Sequence, residues 1–530
     1  MSLLDLPPST ATARPAATGR TGHLAAALSG LLAVGAALAV GHLVAVVIAP
    51  AASPLFAVGA TFIDLTPEWL KSFAIRTFGN ADKVALLGGI GVVLAIAAAA
   101  IGLVSVGRPW LAIAAVGALG VVGGLAAYLR PGGSLVSLVP ALVGAVVGMG
   151  ALALLRREAA WPTERADTDE TGAHGLTRRR FLGAGAVVGG LIVASGGLGL
   201  LVTSRRAAAV AGAGGSALPA PLEPIAAVPA GADLGITGVA PFITPNDAFY
   251  RVDTALQIPA IAADEWRLRI HGMVDREVVL TLDELLAYPL VERDITLTCV
   301  SNEVGGEYVG NARWTGVPLA TLLEEAGVQA GADQIVSRSV DGMSIGTPTA
   351  VALDGRDAML AIGMNGERLP PVHGYPVRMI VPGLFGYVSA CKWLVELELT
   401  TFDAYDPYWV QRGWAKDAPI KTMARIDAPK PLARIAAGKT AIAGVAWAQH
   451  RGIERVEVRI DGGEWVAARL AAADTIDTWR QWVLEWDALP GRHALEVRAT
   501  DATGATQPEA RVAPFPDGAT GWHSVVMTVT

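Results

Sequence analysis

Apolar residues run almost unbroken through five stretches of the first two hundred positions, then give way to short alternating patterns. The stretches are Leu24–Pro50, Val84–Val106, Trp110–Leu129, Leu135–Leu155 and Phe181–Val202. Each is near or above the ~20 residues that cross a hydrocarbon core of ~30 Å. A buried helix of a soluble protein seldom runs so long without charge, so these segments are expected to be transmembrane helices. The chain therefore reads as a polytopic α-helical membrane domain at its N-terminus. Residues 1–21, with Pro7, Pro8 and Pro15, read as a disordered leader. Four spans fill 22–155, a polar connector occupies 156–180, and a fifth span covers 181–203. Residues 204–240 are rich in Ala, Gly and Pro (Pro219, Pro221, Pro224, Pro229) and read as a linker, part flexible and part extended.

Beyond the linker the pattern turns globular. Trp266–Ile270, Val278–Leu280, Asp294–Cys299, Pro376–Val381 and Trp393–Leu399 have the composition of short strands. Thr281 with Glu284 three residues on opens a helix through a capping box, and Val317–Ala326 places Leu319, Leu322 and Leu323 on one helical face. Residues 241–420 thus form an expected α+β domain. In 421–530 the strands Ala441–Ala446, Val456–Ile460, Trp465–Ala468, Trp482–Trp486 and His493–Ala499 recur at regular spacing. Turn chemistry at Asp461-Gly462-Gly463 and Pro490-Gly491 separates some of them. That pattern predicts a small β-sandwich, with Trp447, Trp465, Trp479, Trp482 and Trp486 as its core and edges.

Composition supports the division. Of the 530 residues 52% are hydrophobic and 17% charged, and the mean hydropathy is +0.45, high for a wholly soluble enzyme. A net charge of −7 without a basic face excludes nucleic acid as a partner. The connector carries Arg156, Arg157, Arg165 and Arg178-Arg179-Arg180, which assigns it to the cytoplasm and everything after the fifth span to the outside. Lys71, Arg76, Lys83, Arg205 and Arg206 pull against that orientation. Thr177-Arg178-Arg179-Arg180-Phe181-Leu182 followed by Gly183–Ala186 matches the twin-arginine export pattern. A stop-transfer flank can carry three arginines too. If the motif is an export signal, the twin-arginine translocation machinery is a partner and a cofactor inserted before export is expected.

Two cysteines, Cys299 and Cys391, exclude a disulfide framework and a thiolate zinc cluster. They leave one disulfide or one special thiol. Cys299 ends a strand before the glycine-containing loop 302–310, and a soft thiolate suits a redox metal. The surrounding motifs carry a resemblance: Phe242–Tyr250, Thr298-Cys299-Val300-Ser301-Asn302, Met364-Asn365-Gly366, Leu369-Pro370, His373–Arg378, Val381-Pro382-Gly383 and Ala390-Cys391-Lys392-Trp393. In this order they resemble the sulfite-oxidase-type molybdopterin-dependent oxidoreductases, here in a membrane-anchored bacterial form. Gln507-Pro508-Glu509 and Gly521-Trp522-His523 within the sandwich resemble that family's immunoglobulin-like dimerisation domain, which makes a homodimer an expectation. The resemblance implies a molybdenum–molybdopterin cofactor with Cys299 as the metal ligand. It implies pterin contacts from Tyr250, Arg251, Asp341, His373, Arg378, Ala390, Cys391 and Lys392, those of Cys391 through the main chain while its thiol is structural.

Departures from the family bear on substrate. The family's sulfite-binding arginines fall here at Val252 and at Glu303-Val304, and its catalytic tyrosine is replaced by Trp414, taken as a catalytic position. Fewer cations and an added carboxylate disfavour a small dianion. The implied activity is two-electron oxygen-atom transfer on an extracytoplasmic S- or N-centred substrate other than sulfite. His23 and His42, ~28 Å apart along one helix at its ~1.5 Å rise, cannot share a haem, and two cysteines cannot hold an iron–sulfur cluster. A separate electron donor or acceptor is therefore expected. The competing class is a catalytically inactive membrane scaffold that binds partners.

Overall fold

The computed structural model describes residues 20–67, 70, 77, 82–130, 133–158, 173–214 and 218–530. The leader up to residue 19 and connector positions 159–172 lie outside these. The chain divides into two compact units, 1–205 and 206–530.

In the first unit, helices α1 (Arg20–Ile48), α2 (Pro54–Leu65), α3 (Asp82–Gly107), α4 (Pro109–Tyr128), α5 (Val139–Glu158) and α6 (Ala173–Gly214) follow in order. Five helical stretches are long and apolar enough to cross a membrane: Gly22–Ile48, Lys83–Gly107, Pro109–Tyr128, Leu135–Glu158 and Arg179–Val210. These coincide with the five expected spans, while the shorter apolar α2 was not anticipated. Small residues let the backbones approach, as is usual where apolar burial alone cannot drive association in lipid. A Cβ added to Gly30 of α1 would lie 1.9 Å from the Ala98 carbonyl oxygen of α3, and one on Gly102 2.0 Å from that of Ala26. Ser29, Ser105 and Ser195 return their hydroxyl protons to carbonyls of their own helices, so each of these donors is satisfied within its helix.

The second unit opens with a segment that differs from the expected linker. Residues 207–214 continue α6, and 218–240 lie along the globular body instead of tethering it. The Leu222 N–H donates to the Leu290 carbonyl, Glu223 bridges to Val291 in parallel register, and Ala232 is fully buried. The early prolines favour extended backbone, and extended backbone can cover a sheet edge.

Ten strands build the α+β part: β1 (Arg267–Gly272), β2 (Val278–Thr281), β3 (Val291–Thr298), β4 (Val309–Pro318), β5 (Gln334–Ser339), β6 (Ser344–Pro348), β7 (Met359–Met364), β8 (Glu367–Arg368), β9 (Arg378–Ile380) and β10 (Leu394–Thr400). One sheet runs β2-β1-β10-β5-β6, and a second runs β3-β4-β7-β8 with β9 against β7. Helices α7 (Leu282–Leu286), α8 (Leu319–Ala326), α9 (Thr349–Ala352) and α10 (Gly386–Ser389) interrupt them. The capping box forms as the sequence indicates, Thr281 accepting from the Glu284 N–H and Glu284 from that of Thr281. Asn365 and Gly366, at φ 54° and 80°, turn β7 into β8 as a two-residue hairpin of the kind that favours Asn-Gly.

Nine further strands form a two-sheet sandwich. They are β11 (Met423–Ala428), β12 (Arg434–Ile435), β13 (Gly438–Trp447), β14 (Ile453–Ile460), β15 (Val466–Ala467), β16 (Arg469–Leu470), β17 (Arg480–Ala488), β18 (Gly491–Asp501) and β19 (His523–Val529). The sheets are β11-β13-β17-β16 and β12-β19-β18-β14-β15, closed over Ile426, Ile442, Trp482, Val456, Val497 and Met527. Of the five tryptophans expected there, Trp482 is in this core. Trp447 and Trp479 instead pack into the oxidoreductase core. Trp465 meets Trp522 edge-on beneath Arg459 and Arg498.

Candidate functional site

Cys299 is the first residue past β3, the edge strand of its sheet. Its N–H donates to the Tyr308 carbonyl and its own carbonyl accepts from the Asn302 N–H, so the turn closes on itself at the thiol. The Asn302 side-chain oxygen, buried beneath the loop, accepts from the Tyr308 N–H at 2.9 Å. Burial pushes the thiol's pKa up, opposed by hydrogen bonds from Ser301 and by the charge of Lys392. Left alone this sulfur stays protonated; it becomes a thiolate only beside a cation.

The segment 242–250 is laced to β4 and to the Asn365 turn. Thr244 and Asn311 exchange bonds through Thr244 N–H, Thr244 Oγ1 and the Asn311 backbone. Asn365 Nδ2 donates to the Thr244 carbonyl and to Asn246 Oδ1. This brings Tyr250 to the cysteine. Burial raises its phenol, Cys299 raises it further, and Arg378 opposes both. A Cβ on Gly386 would stand 4.0 Å from the Tyr250 hydroxyl and 3.8 Å from the Thr298 carbonyl oxygen, which sets α10 against the same spot.

On the other side stands a group of cations. The Arg378 guanidinium is 5% exposed, donates to the His373 carbonyl at 3.1 Å, and lies 5.0 Å over the Trp314 ring. Its Nε is buried with no hydrogen-bond partner. Burial lowers its pKa to about 10, still charged at neutral pH. Lys392 sits 2.9 Å from the buried carboxylate of Asp253 and 4.7 Å from the Trp393 ring centroid. Burial lowers its pKa to about 8, with Asp253 opposing. Arg251 also pairs with Asp253, at 2.8 Å. Gly374, at φ +115°, fits between these groups: a Cβ there would lie 3.1 Å from Lys392 Cβ and 3.2 Å from that of Arg378.

His373 is buried, and burial drives its pKa down to about 4, so it is neutral at ordinary pH. Nε2 lies 2.7 Å from the Asn246 carbonyl, which can only accept, so this nitrogen carries the proton and Nδ1 is left as an acceptor. Cys391 is a free buried thiol within the core; burial and Asp341 raise its pKa. Asp341 accepts from Met343 N–H and faces Thr254. The Ala390 N–H is committed to the Gly386 carbonyl.

Trp414 stands apart. It is buried among Tyr387, Trp409 and Phe515, with ring centroids 5.8, 6.3 and 5.3 Å away, and its indole N–H has no partner. Tyr387 follows Gly386, so Trp414 reaches the site through that ring. Val252 and Glu303 are solvent-exposed. Sequence reading missed Asp253, whose two cationic partners include one 139 positions away, and Asn246, which sets the His373 tautomer. Asp253 lies in no pattern that separates it from an ordinary loop residue, and Asn246, though inside the Phe242–Tyr250 motif, carries no local sign that its carbonyl will meet His373.

These residues suit a large anionic cofactor. A buried guanidinium with a free Nε and a desolvated lysine fit a phosphate, and a thiol that ionises only beside a cation fits a metal.

Comparison with known proteins shows what this part of the chain is similar to. Residues 255–409 match the family model of the oxidoreductase molybdopterin-binding domain. The mitochondrial sulfite oxidase of Homo sapiens is 30% identical over 325 residues, 52% of this chain and 58% of the human one. The sulfite oxidase of Gallus gallus is 29% identical over 338 residues, 53% of this chain and 72% of its own. The NADH nitrate reductase of Solanum lycopersicum is 30% identical over 332 residues, 51% of this chain and 36% of its own. Among solved structures, the sulfane dehydrogenase SoxCD from Paracoccus pantotrophus is 25% identical, covering 56% of this chain and 85% of its own with a TM-score of 0.49. The chain thus spans 58% of the length of its human relative. It carries an oxidoreductase molybdopterin-binding domain, and Cys299, Asp341, His373, Arg378 and Lys392 all lie inside the matched residues.

Proposed function

We propose that this protein is a membrane-anchored, molybdenum-cofactor-dependent oxidoreductase that transfers an oxygen atom to or from an S- or N-centred substrate other than sulfite, outside the cytoplasmic membrane. The observation that carries this reading is one site in which a buried thiol, a buried guanidinium with a free Nε and a lysine–aspartate pair influence one another electrostatically. When bound, the molybdenum–pterin supplies the two-electron chemistry.

The chain's own residues do the rest. Cys299 would hold the metal as a thiolate, the form that a neighbouring cation favours for a thiol whose pKa burial otherwise raises. Arg378 and Lys392 take the anionic end of the pterin, with Asp253 holding Lys392 and Arg251 in place. His373, kept neutral by burial, presents an acceptor at Nδ1. Tyr250, kept protonated by burial and by Cys299 against the opposing charge of Arg378, keeps its phenolic proton as a hydrogen-bond donor. Asp341, Ala390 and Cys391 complete the pterin wall, the last two through main chain. Trp414, at the position taken as catalytic, bears on the site through the Tyr387 ring packed 5.8 Å from its own, and so sets where that ring stands on α10.

The spans anchor the enzyme, the arginine-rich connector 156–180 lies in the cytoplasm, and the twin-arginine motif exports a domain already loaded with cofactor. Division at residue 420 separates the oxidoreductase domain from an immunoglobulin-like one through which two copies pair. Electrons pass to or from a separate carrier.

The test is dye-linked turnover of the molybdenum-loaded protein on sulfite, methionine sulfoxide and an N-oxide. The uncharged oxides are expected to turn over at least about tenfold faster than sulfite, since a carboxylate at 303 repels a dianion. Glu303→Arg should narrow the gap. Faster turnover of sulfite by the unmodified protein would overturn the substrate assignment.

A further inference from the structure

The free edge of β3, the strand that ends at Cys299, is not open. Its first half is bridged by Glu223, and its second half is taken by the C-terminal sandwich. The Thr296 N–H donates to the Asp477 carbonyl at 2.9 Å, and the Trp479 N–H donates to Thr296 Oγ1 at 2.7 Å. Gln449, fully buried in the loop between β13 and β14, donates through Nε2 to the Thr296 carbonyl and to Thr298 Oγ1, both at 3.0 Å. Thr298 is the residue before the cysteine.

The sandwich also holds the loop on the far side of Cys299. Arg425 of β11, paired with Asp427 at 2.6 Å, donates to the Gly306 carbonyl at 2.8 Å. The ring of His523, the first residue of β19, lies against Gly305. A Cβ at that glycine, whose φ is +81°, would sit 2.3 Å from His523 Nε2. The other ring nitrogen accepts from the Ile426 N–H at 2.9 Å, which fixes the ring. The sandwich thus bonds to the chain one residue before the thiol and seven residues after it, and packs against it six residues after.

We propose that the C-terminal sandwich is part of the positioning apparatus of the metal ligand, with Gln449, Arg425 and His523 as positioning residues that set where the Cys299 sulfur stands. The proposal rests on the reading of Cys299 as ligand. Groups that orient a ligand without touching the metal tune both its affinity and its electronic structure, and edge-strand hydrogen bonds are the cheapest part of a sheet to open. No other domain contact would be needed to couple the sandwich to the site.

Hydrogen exchange and Mo(V) electron paramagnetic resonance on the full chain test this. In Gln449→Leu and Arg425→Met, amide exchange over 298–308 should rise about tenfold, the size expected for loss of a buried hydrogen bond, with β14 and β18 unchanged. The Mo(V) g-values and midpoint potential should shift at full molybdenum content. Arg425→Lys should restore part of the effect. His493→Ala, which removes the His493–Asp461 pair elsewhere in the sandwich, should move none of these. Should Gln449→Leu fail to fold, Thr298→Val removes the same bond from the other side, and Thr298→Ser should restore it. Unchanged exchange over 298–308 overturns the proposal. So does raised exchange with an unaltered Mo(V) signal, which would leave only a structural clasp. Exchange is read with or without metal, so a wild-type protein lacking molybdenum would refute the function proposed above and leave the exchange result to decide the clasp on its own.

Discussion

Two histidines at the site are kept neutral by burial, His373 and His523, each with its pKa driven to about 4. Their ordinary value is 6.5. Between these two values the unfolded chain binds protons that the native one refuses, so native stability falls as pH drops from about 6.5 toward about 4. Chemical denaturation of cofactor-free protein across that window should show this loss. His373→Gln should flatten the decline, and an unaltered slope would contradict the assignment. Arg378 offers a second check. Arg378→Met should lower pterin retained after gel filtration at least about tenfold, as loss of a charge-assisted bond implies, and Arg378→Lys should recover only part because it lacks the planar fork. At this scale the sequence singled out Cys299, His373, Arg378 and Lys392, where chemistry and family pattern coincide, and all four lie inside the residues that match the molybdopterin-binding domain. Asp253 and Gln449 were invisible because their partners lie 139 and 151 positions away, and nothing local marks a carboxylate or amide that will be buried.

Periodicity and length disclosed the apolar helices and several of the strands, but not what each element packs against. The long apolar helices are legible because a run of about 20 residues almost without charge is a pattern few other elements share. Trp447 and Trp479 fall in or beside sandwich strands yet bury in the neighbouring core, since a strand's pattern reports burial and not which domain does the burying. Residues 218–240 misled for a related reason: Pro-rich composition is shared by a tether and by an extended strap along a sheet edge. The close crossing of α1 and α3 at Gly30 and Gly102 gives a sharp prediction. Gly102→Leu cannot be accommodated against the Ala26 carbonyl without separating the helices, so the detergent-solubilised protein should lose thermal stability, whereas Gly88→Leu, with open space around it, should not. In the sandwich, Asp501 is buried, which alone would raise its pKa, but hydrogen bonds from Thr503, Thr422 and Arg451 outweigh this and hold it well below the usual carboxylate range. It therefore contributes stability above about pH 4 that is lost as pH falls. Asp501→Asn should cost on the order of 1–3 kcal/mol near neutrality and blunt the acid dependence measured by denaturant unfolding.

The whole chain joins a unit rich in membrane-length helices to a unit whose molybdopterin-binding domain is clasped by a β-sandwich, and its central claim concerns one sulfur. Molybdenum and pterin content should be measured on the intact protein purified from molybdenum-replete cells, beside Cys299→Ser and Cys391→Ser. About one molybdenum per wild-type chain is expected, with a similar content in Cys391→Ser, and loss of the metal–thiolate absorption with most of the metal in Cys299→Ser. A wild-type protein without molybdenum, or a Cys299→Ser protein that keeps both metal and absorption, would contradict it.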